Sequence, residues 1–310
     1  MMIRSFSLSI LYLFCVTFSF AQIHEIPLNR SASGNKSISK SKSGIRFSFS
    51  QDKILSKTKT SNEGISYTEI WFNGSYPNGE VGAPNIPAYK KLIRIPRGSK
   101  ASVNVVSHTE ELINLKEKGI SQKIYPNQLS VSKNQDTTNI KFEINRSAYA
   151  KNSYSNSPIA TIEVLGTLRS ATIARLVVNP IDYNPGEGLI KVYNDIDVGV
   201  SFENTLSSEE EQEFNSKTNS PYFDVLYNSL EQPSMSSYTD HPDLTKYPVK
   251  MLIVSNRMFE QSLQPFIQWK TLKGFNVKTV YTDVIGNTST QIKAFIQQEY
   301  NSATPENPAP

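Results

Sequence analysis

The strictest pattern in the sequence is an alternation of period two: Ile190, Val192, Ile196, Val198, Val200 and Phe202 all fall on even positions. Side chains of a strand point alternately to two faces, so this stretch reads as one long strand with a single buried face. Asn194-Asp195 interrupts the apolar set, at a place suited to a turn or bulge. The same period recurs in Ile45, Phe47 and Phe49, in Ile140, Phe142 and Ile144, and in Ile162 with Val164. Clusters of turn formers separate these runs: Asn73-Gly74, Pro77-Asn78-Gly79, Pro96-Arg97-Gly98 and Pro185-Gly186. Residues 45–204 are therefore expected to form an antiparallel β-sandwich or barrel, with no long helix interrupting it. Fifteen Tyr and fifteen Phe suit a β-rich interior.

From residue 249 the grammar changes to alternating strand and helix. Residues 249–254 are apolar enough for a strand buried on both faces of a parallel sheet. A helix follows, with Pro265 in its first turn, Phe266, Ile267, Trp269 and Leu272 apolar, and Gly274 as its stop. Residues 275–281 form the next strand. A second helix opens on the capping box Thr288 and Gln291 and buries Ile292, Phe295 and Ile296. Two parallel strands and two helices leave open edges and one poorly covered face. Either the β-rich region covers them, or residues 249–310 begin a longer α/β domain.

Between the two regions, residues 205–248 read as a connector. It carries the acidic run Glu209, Glu210 and Glu211. One short helix is expected, with Ser220 as N-cap, Pro221 at its first position, and Phe223, Leu226, Tyr227 and Leu230 on one face.

Residues 1–21 have the layout of a secretory signal peptide. Arg4 supplies the charge; Leu8, Ile10, Leu11, Leu13, Phe14, Val16 and Phe18 the apolar run; Ser19 and Ala21 the small residues before a cut between Ala21 and Gln22. The run is shorter than the roughly 18–20 residues that span a bilayer, and no basic stop-transfer cluster follows. The expected destination is secretion or the cell surface. The single cysteine, Cys15, lies inside this leader, and Phe14 before it is too bulky for a lipid-attachment signal. The exported chain then has no disulfide, and its stability must come from core burial. Residues 22–44, rich in Ser, Asn and Lys, read as a flexible arm.

Candidate chemistry is sparse. Lys and Arg exceed Asp and Glu by only 32 to 28 and are scattered, which argues against nucleic-acid binding. The loop Ser255-Asn256-Arg257-Met258-Phe259 after the first parallel strand has no glycine, so it offers neither a dinucleotide fingerprint nor a P-loop. His24, His108 and His241 lack partners at metal-ligand spacing, and Asp240-His241-Pro242-Asp243 reads as a turn. Asp195 and Asp197 could imitate a glycosidase carboxylate pair, but they share the polar face of an alternating strand. There is no Gly-x-Ser-x-Gly elbow, and after residue 21 no cysteine to pair with a histidine. The residues alone support an exported β-domain joined to an incomplete α/β unit, without a catalytic centre.

Two sets of motifs resemble a known family. Gly82-Ala83-Pro84-Asn85-Ile86-Pro87 with Ile93-Arg94-Ile95-Pro96, and residues 169–202 with Val178-Asn179-Pro180-Ile181-Asp182-Tyr183-Asn184-Pro185, resemble the propeptide of gingipain-type cysteine peptidases. Met251-Leu252-Ile253-Val254, then Pro265-Phe266-Ile267-Gln268-Trp269-Lys270 through Gly274, and Gln291-Ile292-Lys293 through Glu299-Tyr300, resemble the opening of the same family's catalytic domain. The resemblance implies a caspase-like α/β peptidase domain with a Cys-His pair, preceded by a β-rich prosegment (45–204) that maintains latency and assists folding, and an activation linker (205–248). Its implied partners are the propeptide for the peptidase domain, and protein or peptide substrates. The catalytic Cys and His follow later strands of the family's sheet, so neither is carried onto this chain, and Pro310 falls where the next strand would begin. Calcium is implied only for the complete peptidase domain, and its ligands find no match here. Cleavage after a basic residue in the linker leaves Lys217 and Lys246 as candidate sites. The rival reading is a non-enzymatic exported β-sandwich that binds a surface partner.

Overall fold

The computed structural model describes residues 23–29, 38–41, 43–134, 140–203, 205–220, 223–234 and 249–310. The signal peptide, the Ala21–Gln22 bond, Pro221, His241 and Lys246 lie outside the described residues. The long alternating strand is the spine. β11 (Leu189–Glu203) pairs along its whole length with β7 (Lys100–Asn114), antiparallel. Its other edge is shared by β10 (Ile181–Asn184) and β3 (Gly44–Phe49), and β2 (Ile38–Lys40) lies outside β3. Every even residue from Ile190 to Phe202 is buried. Phe47 faces Val198 and Ile45 faces Val200, so one apolar face runs across both strands.

The interruption at Asn194-Asp195 is a bulge: the register with β7 shifts there, and Asp195 has φ 47°. Asn194 stays buried because its side chain makes a backbone-like bridge. Its Oδ1 accepts from Gln51 N at 2.8 Å, and its Nδ2 donates to Gln51 O at 2.8 Å.

A second antiparallel sheet holds β1 (His24–Pro27), β4 (Lys53–Thr60) and β5 (Ser66–Trp71). A third holds β6 (Tyr89–Ile95), β9 (Ala171–Val178) and β8 (Ala160–Leu168). No sheet closes into a barrel among the described residues. The three sheets share one core, with the Tyr89 ring 4.8 Å from both Phe49 and Phe72. Each buried Ile, Val or Phe removes enough apolar surface from water to contribute about 1.5–3 kcal/mol.

Within residues 22–204 three expectations need correction. The segment read as a flexible arm carries β1 and β2, and Ile26 is fully buried against the β4 edge; a single apolar residue completing a sheet is invisible to composition. Ile140, Phe142 and Ile144 lie on extended backbone outside any named strand. There the Gln128 side chain takes the ladder's place, accepting from Glu143 N at 3.0 Å and donating to Glu143 O at 2.8 Å. This run leads into the one-turn helix α1 (Arg146–Ala150), capped by Asn145. Val164 is exposed, because β8 is an edge strand whose register slips between Val164 and Gly166.

The two propeptide-like motifs meet. Ala83, Pro84 and Ile86 of one and Asn179 and Asp182 of the other line one cleft of about 690 Å³, and Asn78, just before the first motif, donates from Nδ2 to Asn179 Oδ1 at 3.0 Å. Gly82 sits at φ 81°, donates to Asn127 O at 2.7 Å and accepts from Asn145 N at 2.9 Å. A Cβ there would meet Asn145 N at 2.8 Å, so glycine is a steric requirement.

Residues 249–310 follow the expected strand–helix order. β12 (Lys250–Ser255) pairs in parallel with β13 (Asn276–Tyr281). Between them lie a 3-10 turn at Arg257–Phe259 and α4 (Glu260–Leu272). Pro265 is inside α4 and not in its first turn, because the 3-10 turn starts the helix earlier than the proline suggested. Gly274, at φ 89°, ends α4 in a Schellman arrangement: Phe275 N donates to Lys270 O and Gly274 N to Thr271 O. After β13 come a single-turn helix, α5 (Thr282–Ile285), absent from the sequence reading, and α6 (Ser289–Asn301), which has the expected Thr288–Gln291 capping box. Residues 251–255 of β12 are only half buried, unlike the doubly covered strand expected.

Candidate activation junction

The connector is more ordered than its composition implied. The acidic run is the first turn of α2 (Ser208–Thr218), where Ser207 Oγ accepts from Glu210 N and Glu210 Oε2 accepts from Ser207 N at 2.9 Å. Three carboxylates at a helix N-terminus complement its exposed N–H groups. The motif Ser207-Ser208-Glu209-Glu210 is a capping box legible in the sequence, and the expectation of one helix missed it. The expected helix is α3 (Asp224–Ser229), with Tyr227 buried and Leu226 exposed. Phe223 is its N-cap residue, without a side-chain bond, whereas Ser220 lies upstream with its Oγ buried and unpartnered.

Arginines from one end of the β6–β9–β8 sheet hold the connector through its aromatic rings. Arg94 lies 5.1 Å from the Tyr227 ring, Arg97 3.2 Å from Phe214 and Arg169 5.2 Å from Phe223. Tyr227 Oη donates to Leu168 O at 3.2 Å, and Arg94 N donates to Glu231 O at 2.7 Å. The Glu231 carboxylate meets Lys40 at 2.9 Å and Lys91 at 3.3 Å. Desolvation pushes this acid up, but the two lysines outweigh it and hold its pKa below the ordinary value. Position alone could not single out these arginines, since their partners lie far away in sequence.

Lys217 is in the last turn of α2, paired with Glu213 at 2.7 Å, and its carbonyl accepts from Ala309 N at 2.9 Å. The other candidates do not come together. His24 is on β1, and His108 on β7 packs edge-on against Tyr193 at 5.2 Å. Asp197 accepts from Arg46 Nε at 2.7 Å, and Asp195 Oδ1 accepts from Ser50 Oγ at 2.9 Å, so each carboxylate has its own structural partner. Among the described residues no three His, Cys, Asp or Glu gather as metal ligands. No described helix is long and apolar enough to cross a membrane.

With this junction described, the relatives are decisive. Residues 32–223 match the family Propeptide_C25 and residues 244–310 match Peptidase family C25, with α3 falling between the two matches. The chain belongs to the gingipain-type C25 family. It is 36% identical over 266 residues to Lys-gingipain HG66 of Porphyromonas gingivalis, a match covering 85% of this chain and 15% of that protein. It is 24% identical over 274 residues to gingipain R1 of the same organism, covering 83% of this chain and 26% of the relative. A solved structure giving insight into the zymogenic latency of gingipain K from that organism superposes with a TM-score of 0.53 at 32% identity, covering 59% of this chain and all of that one. A complex of the pro- and mature domains of RgpB matches in fold, with a TM-score of 0.50 at 20% identity, covering 64% of this chain and 97% of that one. The chain spans 15% of the length of the Lys-gingipain it matches.

Proposed function

We propose that the β-rich region and its connector are the inhibitory and folding prosegment of a secreted cysteine endopeptidase zymogen, and that residues 249–310 open its caspase-like peptidase unit. The Cys-His pair then belongs to sequence beyond residue 310. In such a pair the histidine takes the thiol proton and the thiolate attacks the peptide carbonyl. This chain contributes latency to that chemistry and none of its reacting groups, and its protein or peptide substrates belong to the whole enzyme. Export through a leader cut between Ala21 and Gln22 is supported by the charged, apolar and small-residue layout of residues 1–21. Calcium is assigned to no residue of this chain.

What supports the reading is the match of residues 32–223 to Propeptide_C25 and of residues 244–310 to Peptidase family C25, together with the enclosed core of the β-rich region. The prosegment encloses a core of its own and fastens its connector to that core, while the α/β unit leaves Trp269 and Leu272 largely exposed. Residues 22–234, expressed by themselves, should inhibit a mature C25 peptidase at micromolar concentration. A folded but non-inhibitory segment would overturn the latency role.

Activation requires a cut in the connector. Supporting Lys246 over Lys217 is the setting of Lys217, whose peptide bond lies in the last turn of a capped helix. Proteases bind extended backbone, so that site must first unwind. N-terminal sequencing of the mature form should read Tyr247 first; a start at Thr218 would reverse this preference, and any other start would remove both lysines.

A further inference from the structure

The turn joining β8 to β9 has two residues, Arg169 and Ser170, between the paired Leu168 and Ala171. Such a turn demands positive φ, which Gly or Asn supplies at least cost. Arg169 adopts φ 51° although it is neither. A side chain kept where the backbone disfavours it needs a compensating contact.

That contact is with the α/β unit. Arg169 Nη1 donates to Ala309 O at 3.2 Å and to Pro310 O at 2.8 Å, and Nη2 donates to Ala309 O at 3.0 Å. The Arg169 carbonyl accepts from Tyr300 Oη at 3.5 Å, at the end of α6. Ala309 is fully buried, and its N–H goes to Lys217 O. The guanidinium also lies against Phe223 of the connector. One residue thus touches all three parts of the chain: its backbone belongs to the prosegment, its plane faces the connector, and its fork holds the α/β unit.

We propose that Arg169 is the docking residue through which the prosegment grips the opening of the peptidase unit, its partners being the backbone carbonyl of Ala309 and the Tyr300 hydroxyl. The planar fork that sets both terminal nitrogens on the Ala309 carbonyl while lying against a ring is a geometry lysine cannot reproduce. Among the described residues the Arg94 and Arg97 guanidiniums lie against connector rings, so they serve as internal controls. The significance of the grip rests on the latency reading above, but its existence does not.

The test is amide hydrogen exchange on the full chain carrying Arg169→Gly, Arg169→Asn or Arg169→Lys, with Arg97→Ala as the control. Gly and Asn both suit the positive φ, so the β8–β9 amides should stay protected in those variants. Exchange at Ala309 and through the last turn of α6 should rise on the order of tenfold, the scale expected for losing charge-assisted hydrogen bonds. Arg169→Lys should show most of that rise, and Arg97→Ala none. Unchanged exchange at Ala309 in either Arg169→Gly or Arg169→Asn, with β8–β9 still protected, overturns the proposal. A negative result in the inhibition assay with residues 22–234 would remove the latency role while leaving this contact measurable, so the two failures are distinguishable.

Discussion

Phe47 on β3 and Leu272 on α4 are both large apolar side chains in regular secondary structure, yet the first is 1% exposed and the second 87%. Within residues 1–310, which hold only the opening of the α/β unit, the two regions they belong to are stabilised by different physics. In the prosegment, three sheets turn their apolar faces to a common core, so burial does most of the stabilising. In the α/β unit, order comes from local devices: the Thr288–Gln291 capping box, the Gly274 Schellman end, and Glu299 held between Lys250 at 2.9 Å and Lys278 at 2.6 Å. Local devices are each worth on the order of 1 kcal/mol and fix elements without enclosing them. A strand of a parallel sheet needs both faces covered to gain its full burial energy, and β12 does not have that cover here.

The largest effect expected from this contrast is on the core. Phe47→Ala should destabilise the prosegment by about 3–5 kcal/mol, since it removes a ring and leaves a cavity. Leu272→Ala should change stability by no more than about 0.5 kcal/mol. Denaturant titration of both variants decides the matter, and similar losses would show that α4 is buried in solution.

A smaller effect is expected where backbone shape, not burial, holds the prosegment. Gly82→Ala forces a Cβ against Asn145 N and puts alanine at φ 81°. The loss should exceed about 1 kcal/mol and appear as a lower urea midpoint with an unchanged slope. A neutral result would mean that the Gly82 loop relaxes independently of α1, and that the motif containing it has another purpose.

These cases also mark what the sequence could disclose. The even-numbered face of β11 was legible because its period is local and long, and the Thr288 box because capping is written within four residues. Ile26 was not, since its burial depends on β4, nearly thirty residues away. Arg169 could be quoted as the start of a familiar block, but its role depends on Phe223, Tyr300 and Ala309, which only the fold brings together. The Ser207–Glu210 box was local and readable, yet the acidic run drew the reading toward a solvated connector. Pro265 misled for a related reason: a proline marks where a helix can begin, and a preceding 3-10 turn moved the start upstream.

The smallest effect at neutral pH, and the sharpest for separating the regions, concerns acid. Hydrogen bonds from Lys278 and then Lys250 hold the Glu299 carboxyl below the usual carboxylate range. An acid whose folded pKa is depressed contributes stability that is complete above its unfolded value, about 4.3 for Glu, and is lost as pH falls through the folded value. Protection of α6 against amide exchange, corrected for the intrinsic rate, should therefore be level from neutral pH down to that range and then decline. The Phe47–Val198 ladder, whose buried face is apolar although Asp197 pairs with Arg46 on its other face, should outlast it on the way down. Glu299→Gln leaves Lys250 buried without its charge partner, so α6 should begin less protected at neutral pH and lose the acid-dependent decline. If α6 and β11 instead lose protection together at one pH, the two regions unfold as a single cooperative unit, and the contrast between a region held by burial and one held by local contacts is wrong.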